Sequence, residues 1–93
     1  EEGGEVEVSQ RNILHIIIRP DGIVDVRRGE STSVQSVAAA AIEGIWRQEV
    51  SDNPNIIAAV KTHPESSYKF MIDVLDALHV AGAERISLQL FEG

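Results

Sequence analysis

The sequence predicts a two-layer α+β domain of order β-β-α-β-α-β, with a four-stranded mixed sheet and two helices on one face. Three observations carry that prediction. Ile13 to Ile18, ILHIII, is an almost unbroken β-branched run of strand length. Tyr68, Met71, Ile72, Leu75, Leu78 and His79 recur at helical spacing, and Gly82 follows, where a left-handed helix cap costs least. Ile86, Leu88 and Leu90 then alternate with Ser87, Gln89 and Phe91, the period of a strand with one buried face.

Taken in order, residues 1–12 are acidic, contain glycine and lack sustained periodicity, so they are expected to form a flexible linker ahead of a domain spanning 13–93. A short strand at Val6 to Val8 is the alternative. The first strand, Ile13 to Ile18, is apolar enough to be covered on both faces. Arg19-Pro20-Asp21-Gly22 has the chemistry of a type I turn, and Ile23 to Val26 returns as the second strand of a hairpin. Thr32 and Gln35 match a capping box, predicting a helix with Val34, Val37, Ala38, Ala41, Ile42, Ile45 and Trp46 on one face. Glu43 precedes Arg47 by four residues, the favourable order for a helical ion pair. Asn53-Pro54 ends that helix, and Ile56 to Val60 makes the third strand. The third strand, the Tyr68 helix and the last strand form a βαβ unit, whose strands are expected to be parallel. Phe70, Val74, Ala77 and Ala81 widen the apolar stripe of the second helix beyond what one small core requires, which points to a partner surface.

Length and composition narrow the function. With 93 residues the chain is a single domain with one core. A formal net charge of −7 argues against nucleic acid, which calls for a basic face, although Glu1, Glu2, Glu5 and Glu7 concentrate much of it in the leader. No cysteine is present, which removes disulfides, thiolate chemistry and cysteine-bound zinc. No stretch approaches the ~20 apolar residues of a membrane span. The chain begins with Glu and has no signal-peptide pattern, so it is expected to be a piece of a longer protein.

Catalytic patterns are weak. His15, His63 and His79 are far apart and in no ligand spacing; the first and last lie in apolar segments and His63 in the loop after the third strand. Asp73 and Asp76 suit a solvated helix face, and Ser66 and Ser67 suit a helix cap. No phosphate loop, nucleophile elbow or dinucleotide fingerprint is present. No cofactor or metal is therefore expected. Ser33-Val34-Gln35-Ser36-Val37 resembles the phosphate loop of acylphosphatases, but Ser36 replaces its glycine and alanines replace its arginine.

The stretch from Lys61 to Phe91 resembles the carboxy-terminal domain of the ExbD/TolR family. The likeness rests on Tyr68 at the helix start, the VLDALH run of Val74 to His79, the Ala81-Gly82 stop and the strand of Ile86 to Leu90. Looser agreement extends back to Ile13. The chain departs from the family at Thr62-His63, where members commonly carry an acidic residue, and at Ser66-Ser67, where they carry Val-Pro. The resemblance implies the periplasmic domain of a single-pass inner-membrane protein whose proton-carrying helix lies outside this sequence. With an ExbB- or TolQ-like partner such proteins use the proton motive force to drive TonB or TolA. It also implies a noncatalytic homodimer and, for TolR-type members, contact with peptidoglycan. Candidate partner or dimer residues are Phe70, Val74, Ile86, Leu88, Leu90 and Phe91, because the edge of the last strand can accept a partner strand. The alternative for Phe70 and Val74 is packing under the first loop. His63 and Tyr68 are the candidate ligand-loop residues. An acylphosphatase-like enzyme and a soluble ligand-binding module with a pocket around His63 to Tyr68 are the rival readings. ExbD, TolR and gliding-motor branches all remain open at this point.

Overall fold

The sheet is built outward from the predicted first strand. β1 (Ile13–Ile18) pairs antiparallel with β2 (Val24–Arg28) and parallel with β4 (Ile57–Thr62). β3 (Gln35–Val37) extends the sheet beyond β2, and β5 (Ile86–Leu90) extends it beyond β4, giving the order β3-β2-β1-β4-β5. α1 (Ile42–Asp52) and α2 (Tyr68–Val80) both pack against one face. This computed structural model describes residues 12–29 and 31–90. The expected linker, its alternative strand at Val6 to Val8, and Phe91 lie outside the described residues.

The mixed α+β class, the antiparallel hairpin, the parallel last pair and the two helices on one face agree with the sequence. The strand count does not: among the described residues the sheet has five strands rather than four. The extra one replaces the start of the first predicted helix. Gln35, expected to close a capping box with Thr32, instead lies opposite Val26 in a strand pair, and Thr32 is in exposed extended chain. Ser36 Oγ donates to Asp25 Oδ1 at 2.7 Å, tying β3 to β2. Val34 and Val37 fitted a helical spacing, but so short a run does not separate helix from strand by periodicity. A 3-10 turn, Ala39–Ala41, then leads into α1. The remainder of that helix is as predicted, including the ion pair of Arg47 Nη2 with Glu43 Oε2 at 2.9 Å.

The local stops follow the chemistry expected of them. The Gly22 N–H donates to Arg19 O at 3.0 Å and the Arg19 N–H to Ile23 O at 2.9 Å. Gly22 holds φ +87, so the turn closes with a residue that L side chains rarely tolerate there. Ser67 Oγ caps α2 by accepting the Lys69 N–H at 3.2 Å. At its other end the Gly82 N–H donates to His79 O at 3.0 Å and the Ala83 N–H to Leu78 O at 2.9 Å. With Gly82 at φ +85, this is a Schellman cap.

Burial alternates along β1. Leu14, Ile16 and Ile18 are fully enclosed, while Ile13, His15 and Ile17 are half-buried on the opposite face. Both helices pack on the side of Leu14, Ile16 and Ile18, and the opposite side of β1 is only half-covered. The core joins these three residues to Val24, Val26, Ala58 and Val60 of the sheet and to Ile42, Trp46, Val74 and Leu78 of the helices. Burying each large apolar side chain of this set contributes about 1.5–3 kcal/mol.

Candidate functional site

α2 divides its apolar surface in a way the sequence did not. Val74 is fully enclosed, and a Cβ at Gly22 would stand 3.0 Å from Phe70 Cζ, so Phe70 lies on the β1–β2 turn. Both side chains, candidates for an interface, make contacts within this chain, Phe70 at the β1–β2 turn and Val74 in the core. Met71, Leu75, Ala77 and Ala81 join them against the core. Outside the core side lie Tyr68 at 70% exposure, Ile72 at 41%, Val80 at 58% and the exposed His79. Tyr68, Ile72, Leu75 and His79 follow one another at intervals of four, three and four residues, which makes one continuous flank.

That flank is turned away from α1. The other side of α2, with Asp73, Asp76 and Val80, lines a cleft shared with Glu43 of α1. Arg47 of α1 also donates to Val80 O at 3.3 Å. The exposed apolar side chains of α2 are thus divided, Tyr68 and Ile72 on the flank away from α1 and Val80 beside it.

The β5 edge is the second part of the surface. Among the described residues β5 pairs with β4 alone, Ile86 opposite Ala58 and Leu88 opposite Val60. This register places Ile86 and Leu88 on the helix-bearing face, where Ile86 is half-buried and Leu88 is 59% exposed. Leu90 continues the strand opposite Thr62. An edge that no other described strand pairs, with exposed Leu88, has the form of a template for another strand.

His63 and Tyr68 stand at the two ends of the β4–α2 connection. His63 Nδ1 accepts the Glu65 N–H at 3.1 Å, its own N–H donates to Ile18 O at 3.0 Å, and its carbonyl accepts the Ser66 N–H at 2.9 Å. The imidazole therefore organises a compact turn. Neither His63 nor Tyr68 lines the clefts described in this section.

Two further places carry chemistry. On the open face, His15 lies opposite Arg27 of β2 and Ala59 of β4. Its Nε2 is buried without a hydrogen-bond partner, and burial first, then Arg27 and Lys61, hold its pKa below the ordinary value of 6.5. On the covered face, a cavity of about 300 Å³ opens between α1 and the β2–β3 segment. In it Arg28 Nε donates to Glu49 Oε2 at 2.6 Å. Sequence reasoning missed this pair, whose members are 21 residues apart. One signal was present: Glu49 falls at i+7 from Ile42 on the stripe of Ile42, Ile45 and Trp46, an acidic residue at a core-facing position. The segment that resembles an acylphosphatase loop contains β3, whose backbone is engaged in the sheet.

The chain matches no protein-family model and no curated protein. Among the described residues, no helix is long and apolar enough to cross a membrane.

Proposed function

We propose that this chain is a noncatalytic interaction domain of an envelope motor of the ExbB/ExbD or TolQ/TolR kind, working in the periplasm as a homodimer. The observation that carries the reading is the β5 edge, which no other described strand pairs, with exposed Leu88, together with the apolar flank of Tyr68 and Ile72 on α2. Exposed apolar side chains beside an unpaired edge suit contact with another chain better than turnover of a small substrate. The resemblance of Lys61 to Phe91 to the ExbD/TolR domain supplies the class of machine. Its partners would be an ExbB- or TolQ-like membrane protein through a helix outside this sequence, a TonB- or TolA-like transducer, and peptidoglycan.

Sedimentation velocity across a concentration series tests the self-association. The wild type should shift from monomer to dimer in the micromolar range, and Leu88→Lys combined with Ile72→Asp should remain monomeric with an unchanged far-ultraviolet spectrum. A wild type that stays monomeric at the highest concentration would overturn the interface.

A further inference from the structure

The cavity between α1 and the β2–β3 segment has a chemistry of its own. Its charged pair is asymmetric: the Glu49 side chain is 9% exposed, whereas that of Arg28 is 66% exposed. The buried carboxylate accepts Nε–H of Arg28 at 2.6 Å, which tethers the guanidinium by its inner nitrogen. No hydrogen bond from Nη1 or Nη2 occurs among the described residues, so the end-on fork of Arg28 is left to whatever enters the cavity. Such a fork matches the two oxygens of a carboxylate in geometry and charge.

The walls add a direction. Val26, Val34 and Ile45 give an apolar side, and Ser31, Ser33 and Gln35 give hydroxyl and amide groups. The rim is braced from the other face of the sheet, where Arg27 Nη1 donates to Gly29 O at 2.7 Å and to Ser31 O at 3.2 Å. The Ser33 N–H also donates to Ser31 Oγ at 3.1 Å. Beside the cavity, β3 is the outer strand at its end of the sheet. A pre-set cationic fork, a short apolar wall and hydroxyls within one small volume suit a ligand with a carboxylate and a small side chain on adjacent atoms.

We infer that this cavity binds the α-carboxylate of an amino acid, either free or at the end of a peptide, with Arg28 as the anchor and Glu49 as the residue that positions it. The site lies at the β3 side of the sheet, away from β5, and does not depend on the self-association proposed above. Glu49 disfavours every anion alike, so discrimination from simple anions rests on the contact of the ligand's side chain with the apolar wall of Val26, Val34 and Ile45.

Amide chemical shifts of the labelled protein test this with four probes: acetyl-Ala-Ala, its C-terminal amide, alanine and sodium acetate. Saturable shifts at Val26, Ser31, Ser33 and Gln35 are expected with the free carboxylate, and none with the amide. Arg28→Gln should weaken binding by about tenfold or more, the size of a lost charge-assisted hydrogen bond, and Arg28→Lys should restore only part of it. Glu49→Gln should weaken binding while leaving the spectrum folded. Binding of alanine as tight as that of the dipeptide assigns the site to free amino acids, and binding of the dipeptide alone assigns it to chain ends. Equal affinity for acetate, retained affinity of the amide, or unaltered binding by a folded Arg28→Gln would each overturn the inference.

Discussion

The two faces of β1 differ more than their side chains do. Leu14, Ile16 and Ile18 have no exposure at all, while Ile13 and Ile17, of the same residue type, are only half-covered one position along. The difference arises because α1 and α2 both lie on one side, so that pleat alternation alone decides which isoleucine meets a helix. On the open side the neighbours are other sheet residues: His15, Arg27, Lys61 and the well-covered Ala59. A strand that reads as uniformly apolar thus carries a core on one side and an incompletely covered, partly basic surface on the other.

The sharpest way to break this comparison is to cut one isoleucine from each face. Ile16→Ala should destabilise by about 2–5 kcal/mol, the cost of a cavity in a closed core, and Ile17→Ala by about 1 kcal/mol. Urea denaturation of both variants reads the gap. An equal loss would mean that the open face is covered in the folded protein in solution.

Next in size is the turn that joins the two inner strands. Gly22→Ala meets Phe70 Cζ at 3.0 Å and must hold φ +87, so both space and backbone oppose it. A loss of more than about 1 kcal/mol is expected by thermal melting. Tyr68→Ala, on the exposed flank of the same helix, should leave monomer stability within about 0.5 kcal/mol. If Tyr68→Ala were the costlier change, the division of α2 into a core side and a free flank would be wrong.

A smaller effect belongs to His15. Its pKa is lowered in the folded protein by burial, Arg27 and Lys61. Above its ordinary value of 6.5 the residue is neutral in both states. As pH falls below that value the unfolded chain takes the proton first, so stability is lost between the ordinary and the lowered pKa. Melting temperatures on the acid side of neutrality should therefore fall more for the wild type than for His15→Gln. Parallel curves would show that the open face leaves His15 unburdened. Smallest of all is the Glu43–Arg47 pair, whose removal by Arg47→Ala should cost about 0.3–0.5 kcal/mol in low salt and less in high salt.

Much of the fold could be read before the structure, and the misses have common causes. β1, the Asp21-Gly22 turn, the α2 limits and the Gly82 stop rest on backbone preferences of a few adjacent residues, which tertiary packing here leaves unopposed. Ser31 to Val37 was misread because a hydroxyl and a glutamine three residues apart suit a cap only if the chain between them is helical. Pairing with β2 made it a strand instead. The candidate interface residues fall into two groups: Phe70 and Val74 pack within the chain, while Leu88 is exposed on β5. Helical spacing showed that α2 was broader than its core, yet only the docking of Phe70 on Gly22 decided which margin was hidden. Leu88 was legible as an edge residue, and Arg28 with Glu49 was not, because no local pattern relates positions brought together by a β-strand and a helix.

The sequence by itself determined the element types where short-range chemistry is decisive: an apolar strand, a proline-glycine turn, a serine-capped and glycine-stopped helix, and a final alternating strand. The tertiary structure alone decided the fifth strand, the half-covered side of the sheet, the exposed flank of α2 and the meeting of Arg28 with Glu49. The physical reason is range. Turns and caps are settled by groups within a few residues, whereas burial and ion pairing depend on which faces the packed helices cover.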